Sequence, residues 1–222
     1  MTSPRTDSLP RRFARLPTAA VTDVMDEMGL LEQTLPSDIL PLDPAMRTAG
    51  YAFTARGRRY RGTARDHDQT LRRFLGMLSA VPADSVLVLA ANDKIAAHFG
   101  ELSAEWFRSH KVRGAVIDGA TRDAASIVRL GFPTFVRYRT PQDSLPRWRV
   151  SDWGKPVTLG GVRIVLGDVV VADRDGIVIV PRRLAHEVVQ RAEKLLGREN
   201  AVRQAIRRGV PPLAAYEKFG VF

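Results

Sequence analysis

Val112-Arg113-Gly114-Ala115-Val116-Ile117-Asp118-Gly119-Ala120-Thr121-Arg122-Asp123 reads as an apolar strand, Ala115 to Ile117, running into a glycine turn that delivers an arginine and a carboxylate side by side. A fixed cation suits developing oxyanion charge, and a carboxylate is a hard oxygen ligand for a divalent metal. One short turn supplies both.

Outward from this stretch, strands and helices alternate. Towards the N-terminus, the spacing predicts a helix over Thr18 to Met28, ended by Gly29, with Thr22 or Asp23 as capping residues. Glu32 to Pro44 is proline-punctuated loop. Then follow a strand at Ala49 to Ala55, a helix at Asp68 to Leu78, a buried strand at Ser85 to Ala90 and a helix from about Gly100 to His110. Beyond Asp123 come a helix to Leu130 and a strand at Thr134 to Tyr138. This βαβαβ rhythm favours a parallel sheet with helices on its faces and ligands at the carboxyl ends of the strands. After Thr140, Gly160-Gly161 and Asp173-Arg174-Asp175-Gly176 each sit between short apolar runs and predict hairpins, an all-β layer added to the α/β core. A long helix from about Arg182 to Arg208 and a short closing helix complete the chain. We expect an arm over residues 1–16 and a single α/β domain with mixed sheets over residues 17–222.

The 222 residues, 45% of them hydrophobic, are enough for a substantial core. No apolar run is long enough to cross a bilayer, and the Arg-rich start lacks the apolar stretch of a secretory signal, so a cytoplasmic location is expected. Cysteine is absent, which excludes disulfides, thiolate nucleophiles and cysteine-held zinc or iron–sulfur centres. The net charge of +10 points to anionic partners, nucleic acid or small acids. Its densest cluster, Arg56, Arg58, Arg59, Arg61 and Arg65, is read first as a solvated or interface loop, then as a small-anion site; nucleic acid ranks last.

The order of motifs carries a resemblance. Asp23 to Gly29, Gly100-Glu101-Leu102, Val116 to Asp123, Pro156 to Val162 and Gly167 to Gly176 resemble the RraA-like aldolase family, which includes 4-hydroxy-4-methyl-2-oxoglutarate aldolases and regulators of ribonuclease E activity. The resemblance spans roughly Pro17 to Glu217. It implies a β/β/α fold of the phosphohistidine-swivelling type, assembled as homotrimers or hexamers with active sites between subunits. The family's signature is an acidic residue, twenty intervening residues, then Arg-Asp; here Glu101 precedes Arg122-Asp123 by that spacing, with glutamate where many members carry aspartate. It further implies a class II, metal-dependent pyruvate aldolase with oxaloacetate decarboxylase activity, or else a non-catalytic regulator that binds proteins of RNA processing. An acidic residue of a neighbouring subunit also assists the site in this family; Glu193 and Glu199 are the candidates.

Read residue by residue, these positions agree. Asp123 offers an oxygen to Mg²⁺ or Mn²⁺, ions that need only one or two protein carboxylates. Arg122 suits the enolate formed when a 4-hydroxy-2-oxo acid is cleaved to pyruvate. Gly100, Glu101, Leu102 and Ser103 lie where a loop enters a helix, so their N–H groups suit a substrate carboxylate, and Glu101 suits acid/base work. Taken alone, Arg-Asp at a helix start is more often just a dipole-favoured carboxylate beside a solvated arginine; the surrounding motifs reverse that order. Glu101 and Glu105 fit an exposed acidic stripe, and Asp118, Asp173 and Asp175 fit turn positions. His98 fits either the metal or substrate shell or a surface or capping role; Asn92-Asp93-Lys94 reads as a solvated loop. The stretch Arg139 to Trp148 departs from the family's small-residue pattern and is a candidate for different substrate contacts.

Overall fold

The computed structural model describes residues 7–222; the first six residues of the expected arm lie outside the described residues. The rest of that arm forms α1 (Leu9–Phe13), which buries Phe13, with Leu16 buried just beyond it. In chain order there follow α2 (Thr18–Glu27), β1 (Leu40–Pro41), β2 (Thr48–Arg59), α3 (His67–Ala80), β3 (Ser85–Ala90), β4 (Ala97–Phe99), α4 (Glu101–Ser109), β5 (Gly114–Thr121), α5 (Ala124–Leu130) and β6 (Thr134–Arg139). The C-terminal part comprises β7 (Trp148–Trp153), β8 (Val157–Leu159), β9 (Val162–Ile164), β10 (Val169–Ala172), β11 (Ile177–Val180), α6 (Ala185–Arg207) and α7 (Pro212–Phe219). None of these helices is long and apolar enough to cross a membrane.

Nine strands form one mixed sheet in the order β1-β6-β5-β3-β2-β10-β11, with β4 added to the end of β5 and β7 to the end of β2. The β2, β3, β5 and β6 ladders are parallel, as the βαβαβ rhythm requires, and β10 and β11 join antiparallel. Along β3 the side chains alternate between two clusters: Val86, Val88 and Ala90 on one face, Leu87 and Leu89 on the other. The first face is covered by the β8–β9 hairpin, through Val157, Leu159, Val162 and Ile164, and by Leu35 and Ile39. The second carries the helices, with Met77 of α3, Phe107 of α4 and Ile127 of α5 at one end and Val21 of α2 and Val188 of α6 at the other.

The expectation of helices on both faces is therefore corrected. The hairpin that Gly160-Gly161 turns, at φ +54° and +90°, occupies the place that a second helical layer takes in a doubly wound sheet. The glycine turn expected at Gly119 is also absent. β5 continues through it to Thr121, with a register shift against β6 between Ile117 and Ala120, and a Cβ there would meet His98 Nδ1 at 2.6 Å and the Ala91 Cβ at 2.7 Å. Glycine is required by close packing, not by a turn. Asp118 is accordingly a strand residue whose carboxylate accepts from Arg137, which also binds Asp38.

Thr22 and Asp23 do not cap α2. Its first N–H, on Thr18, donates to Asp173 at 2.9 Å, and the Thr18 hydroxyl donates to the other carboxylate oxygen at 2.7 Å. Asp173 also accepts from the Asp175 amide at 3.0 Å, so it closes its own turn and caps a remote helix together. Arg56 to Arg59 are strand rather than loop: Arg56 makes a two-pronged pair with Asp152 of β7 at 2.8 Å on each prong.

Candidate functional site

Beyond the carboxyl end of β5 the chain opens a cavity of about 800 Å³, lined by Gly100, Glu101, Leu102, Ser103, Arg122 and Asp123 from the predicted positions. The sheet builds this meeting point. β4 pairs with the last residues of β5, the Arg122 N–H donates to the Phe99 carbonyl at 3.0 Å, and α4 starts immediately after β4. The acidic residue and the Arg-Asp pair, far apart in sequence, thereby become neighbours.

Asp123 takes a left-handed backbone conformation, φ +59°, at the cap position of α5. Aspartate tolerates that region better than most residues, and such strain gathers at functional positions. Its Oδ2 accepts from the Glu101 N–H at 3.3 Å and stands 3.6 Å from Arg122 Nε. Gly100 makes this approach possible, since a Cβ there would meet Asp123 Oδ2 at 2.9 Å. The remaining first-turn amides of α4, on Leu102 and Ser103, have no acceptor within the helix, and both residues line the cavity. The dipole-and-solvation alternative for Arg-Asp is half true: Asp123 does sit at a helix start, but both side chains line the cavity and remain close to half exposed, at 44% and 46%.

Sequence reasoning missed Asp143. Its Oδ2 lies 3.6 Å from Arg122 Nη1, a different nitrogen of the guanidinium from the Nε that Asp123 approaches. The loop bearing it is stitched to β4, the Ala97 N–H donating to the Gln142 carbonyl at 2.8 Å, and Asp143 Oδ1 accepts from the Leu145 N–H at 3.2 Å. The departure of Arg139 to Trp148 from the family pattern was the available signal, and Asp143, Ser144, Leu145 and Trp148 do line the cavity. The site thus gathers three carboxylates, Glu101, Asp123 and Asp143, around the Arg122 guanidinium, with Arg149 elsewhere on the wall. That surplus of negative charge suits a cation.

His98 lines the cavity but is neither a surface residue nor a helix cap. Its Nδ1 accepts from the Ala120 N–H at 3.2 Å, which leaves Nε2 to carry the proton and donate to Asp93 Oδ2, also at 3.2 Å. Burial holds the imidazole pKa down at about 4, against the pull of Asp93. Both ring nitrogens are committed inside the protein, so neither serves a metal or a substrate. Asp93, expected in a solvated loop, is buried. Burial raises its pKa, but the Ala96 and Ile95 amides and His98 outweigh this and hold it below the usual carboxylate value. Trp148 stands edge-on to His98 with ring centres 4.8 Å apart and donates from Nε1 to the Ala91 carbonyl at 2.7 Å. Lys94 is exposed and outside the cavity.

Of the two candidate acids for a neighbouring site, Glu193 is held by Arg12, at 2.8 and 2.6 Å, while Glu199 makes no ion pair among the described residues. The basic stretch Arg56 to Arg65 contributes no side chain to the cavity wall. Among the described residues no group of three or more His, Asp or Glu side chains has metal-holding geometry by itself.

Comparison with known proteins agrees with this layout. A protein of Halalkalibacterium halodurans, named "Putative 4-hydroxy-4-methyl-2-oxoglutarate aldolase", is 30% identical over 205 residues, 92% of this chain and 91% of its own. An uncharacterized protein from Pseudomonas syringae superposes with a TM-score of 0.83 at 28% identity, covering 98% of this chain and 97% of the other. Streptomyces coelicolor RraAS2, described as an unusual member of the RNase ES inhibitor RraA protein family, superposes with a TM-score of 0.77 at 29% identity, over 91% of this chain and 99% of its own. The family model described as RraA-like, Aldolase/RraA, matches residues 18–179, and with the cavity and the Glu101 and Arg122-Asp123 segments inside that span, the chain belongs to the RraA-like family.

Proposed function

We propose that the chain is a cytoplasmic, divalent-metal-dependent aldolase of class II that cleaves a 4-hydroxy-2-oxo acid, such as 4-hydroxy-4-methyl-2-oxoglutarate, to pyruvate, with oxaloacetate decarboxylation as a second activity. The observation that carries this reading is the convergence of the Arg122 guanidinium and the Asp123 carboxylate on one cavity at the N-terminus of α4. We also assign the fold to the β/β/α swivelling class, on the strength of the hairpin, sheet and helix layers.

Asp123 is the residue that would hold Mg²⁺ or Mn²⁺. The donor set fits such an ion: a half-exposed carboxylate in a cavity with two further carboxylates, and nothing that demands a fully protein-built cage. When bound, the ion supplies Lewis acidity at the 2-oxo group. The protein's own groups do the rest. First-turn amides of α4 at Leu102 and Ser103 hold the substrate carboxylate, and Arg122 stabilises charge on the enolate oxygen as the C3–C4 bond breaks. Glu101 takes the 4-hydroxyl proton, or returns it to the enolate carbon. In a trimer or paired trimer, the uncommitted Glu199 is the better donor to a neighbouring site than Glu193.

The test is pyruvate release from oxaloacetate and from 4-hydroxy-2-oxo acids, with Mg²⁺ or with EDTA. Turnover should require the metal and fall about a hundredfold or more in Arg122→Ala and Asp123→Ala, the range seen on removing one preorganised oxyanion partner. Wild-type rates in either variant would remove that residue from the mechanism. The other reading, a non-catalytic regulator docking on RNA-processing proteins, leaves the cavity without a role and predicts no metal-dependent turnover at all.

A further inference from the structure

Charge is sorted along the cavity wall. Asp123 and Asp143 each stand 3.6 Å from a nitrogen of Arg122, whereas Arg149 of β7, the other arginine on the wall, makes no ion pair among the described residues. The strand ladder sharpens this imbalance. Where β2 pairs antiparallel with β7, Arg149 stands directly opposite Arg58, a like-charge pair that costs stability, while the neighbouring Arg56 is answered by Asp152 at 2.8 Å. Asp66 lies within range of the Arg149 charge but spends its Oδ2 on the Thr63 N–H and hydroxyl, at 2.8 Å each. Beyond Arg149 the wall continues into a hollow lined by Arg56, Arg58, Arg72 and Arg73, with no described Asp or Glu on it. That end of the cavity therefore sits in a positive field that the protein does not neutralise.

Arg149 is nonetheless held in place. Its guanidinium lies over the Tyr60 ring, 4.3 Å from the centroid, and no hydrogen bond among the described residues draws on its N–H donors. A stacked guanidinium presents a rigid fork that matches the two oxygens of a carboxylate. The same cavity, about 800 Å³ in volume, has Arg122 and the Leu102 and Ser103 amides on its wall for the first carboxylate and its adjacent carbonyl. A ligand with one carboxylate leaves Arg149 unanswered; a ligand with two answers both arginines.

We propose that Arg149, placed by Tyr60, binds the distal carboxylate of a dicarboxylic 2-oxo acid whose 2-oxo end lies at Arg122 and Asp123, and so selects diacids over monoacids. The inference rests on the reading of Arg122 and Asp123 as a 2-oxo-acid site, and binding measured without turnover separates the two. Calorimetric titration in excess Mg²⁺ would compare 2-oxoglutarate with 2-oxohexanoate, an acid of similar length that lacks the second charge, and with pyruvate. The diacid should bind about tenfold or more tightly than the monoacid, about 1.4 kcal/mol. Arg149→Gln should bring 2-oxoglutarate down to the level of 2-oxohexanoate, and Arg149→Lys, which keeps the charge but not the fork, should restore part of the difference. Equal affinity of the two acids for the wild type, or a diacid advantage that survives Arg149→Gln, overturns the assignment and leaves the proposed function standing. Failure of all three acids to bind overturns the proposed function with it. Sedimentation tests whether a carboxylate of a second copy occupies Arg149 instead: a smaller mass for Arg149→Gln than for the wild type shows a subunit contact and ends the proposal, whereas an unchanged mass supports it.

Discussion

Two acidic corners border the same cavity, and they are built in opposite ways. At one, Asp123 and Arg122 stand nearly half exposed, more than hydrogen-bond distance apart, with Asp123 in a left-handed conformation. At the other, Asp93 and His98 are buried, the imidazole is bonded at both nitrogens, and Gly119 and Trp148 press against its ring. The difference teaches that residue type is a poor guide to chemistry. Histidine beside aspartate looks like the reactive pair, yet both imidazole nitrogens are spent inside the protein, on Asp93 and on the Ala120 N–H of β5, while the ordinary-looking arginine and aspartate keep their capacity for a ligand.

The sharpest way to break this contrast is to swap the expected outcomes. His98→Ala leaves Asp93 and the Ala120 N–H without their partner and opens a void under Trp148, so stability to urea should fall by roughly 3–5 kcal/mol. Acid should expose the same corner. With a folded pKa of about 4 against an ordinary 6.5, the unfolded chain takes up a proton that native His98 refuses, so stability drops as pH falls from about 6.5 to about 4 and then ceases to change on this account. The loss should total about 3 kcal/mol, and His98→Gln should flatten that interval of the urea-midpoint profile. At the other corner, Arg122→Ala should leave the urea midpoint within about 0.5 kcal/mol of wild type despite its loss of turnover. A large destabilisation there would mean that Arg122 is structural and the contrast is false. The smallest effect belongs to Asp143→Asn. A 3.6 Å pair between half-exposed groups contributes less than about 1 kcal/mol, so KM should shift a few-fold with kcat held, as expected if Asp143 only steers the guanidinium.

Much of this layout was legible from residues alone, and the failures have specific causes. The strand before Arg122 and the helix after Asp123 announce themselves by apolar period, and the spacing from Glu101 survives into space because β4 ties α4 to the end of β5. Gly119 misled because a glycine that relieves a side chain from another strand and a glycine that reverses the chain are the same letter; only His98 overhead distinguishes them. Asp93 misled for a similar reason, its neighbours Asn92 and Lys94 being exposed while its own carboxylate turns inward to two amides. β7 was missed although Trp148 and Val150 alternate with outward residues, because Pro146 and the flanking charges resemble a loop. Asp143 has no local pattern at all, and its place depends on a loop laid against β4.

The remote cap on α2 carries a consequence for how the chain comes together. That helix has no side chain of its own to close its leading end, and borrows one from Asp173, 155 positions downstream. A nascent chain emerging from the ribosome therefore makes its second helix long before the group that secures it has been synthesised. The segment translated among the first is among the last to be locked, and it waits on the turn between β10 and β11.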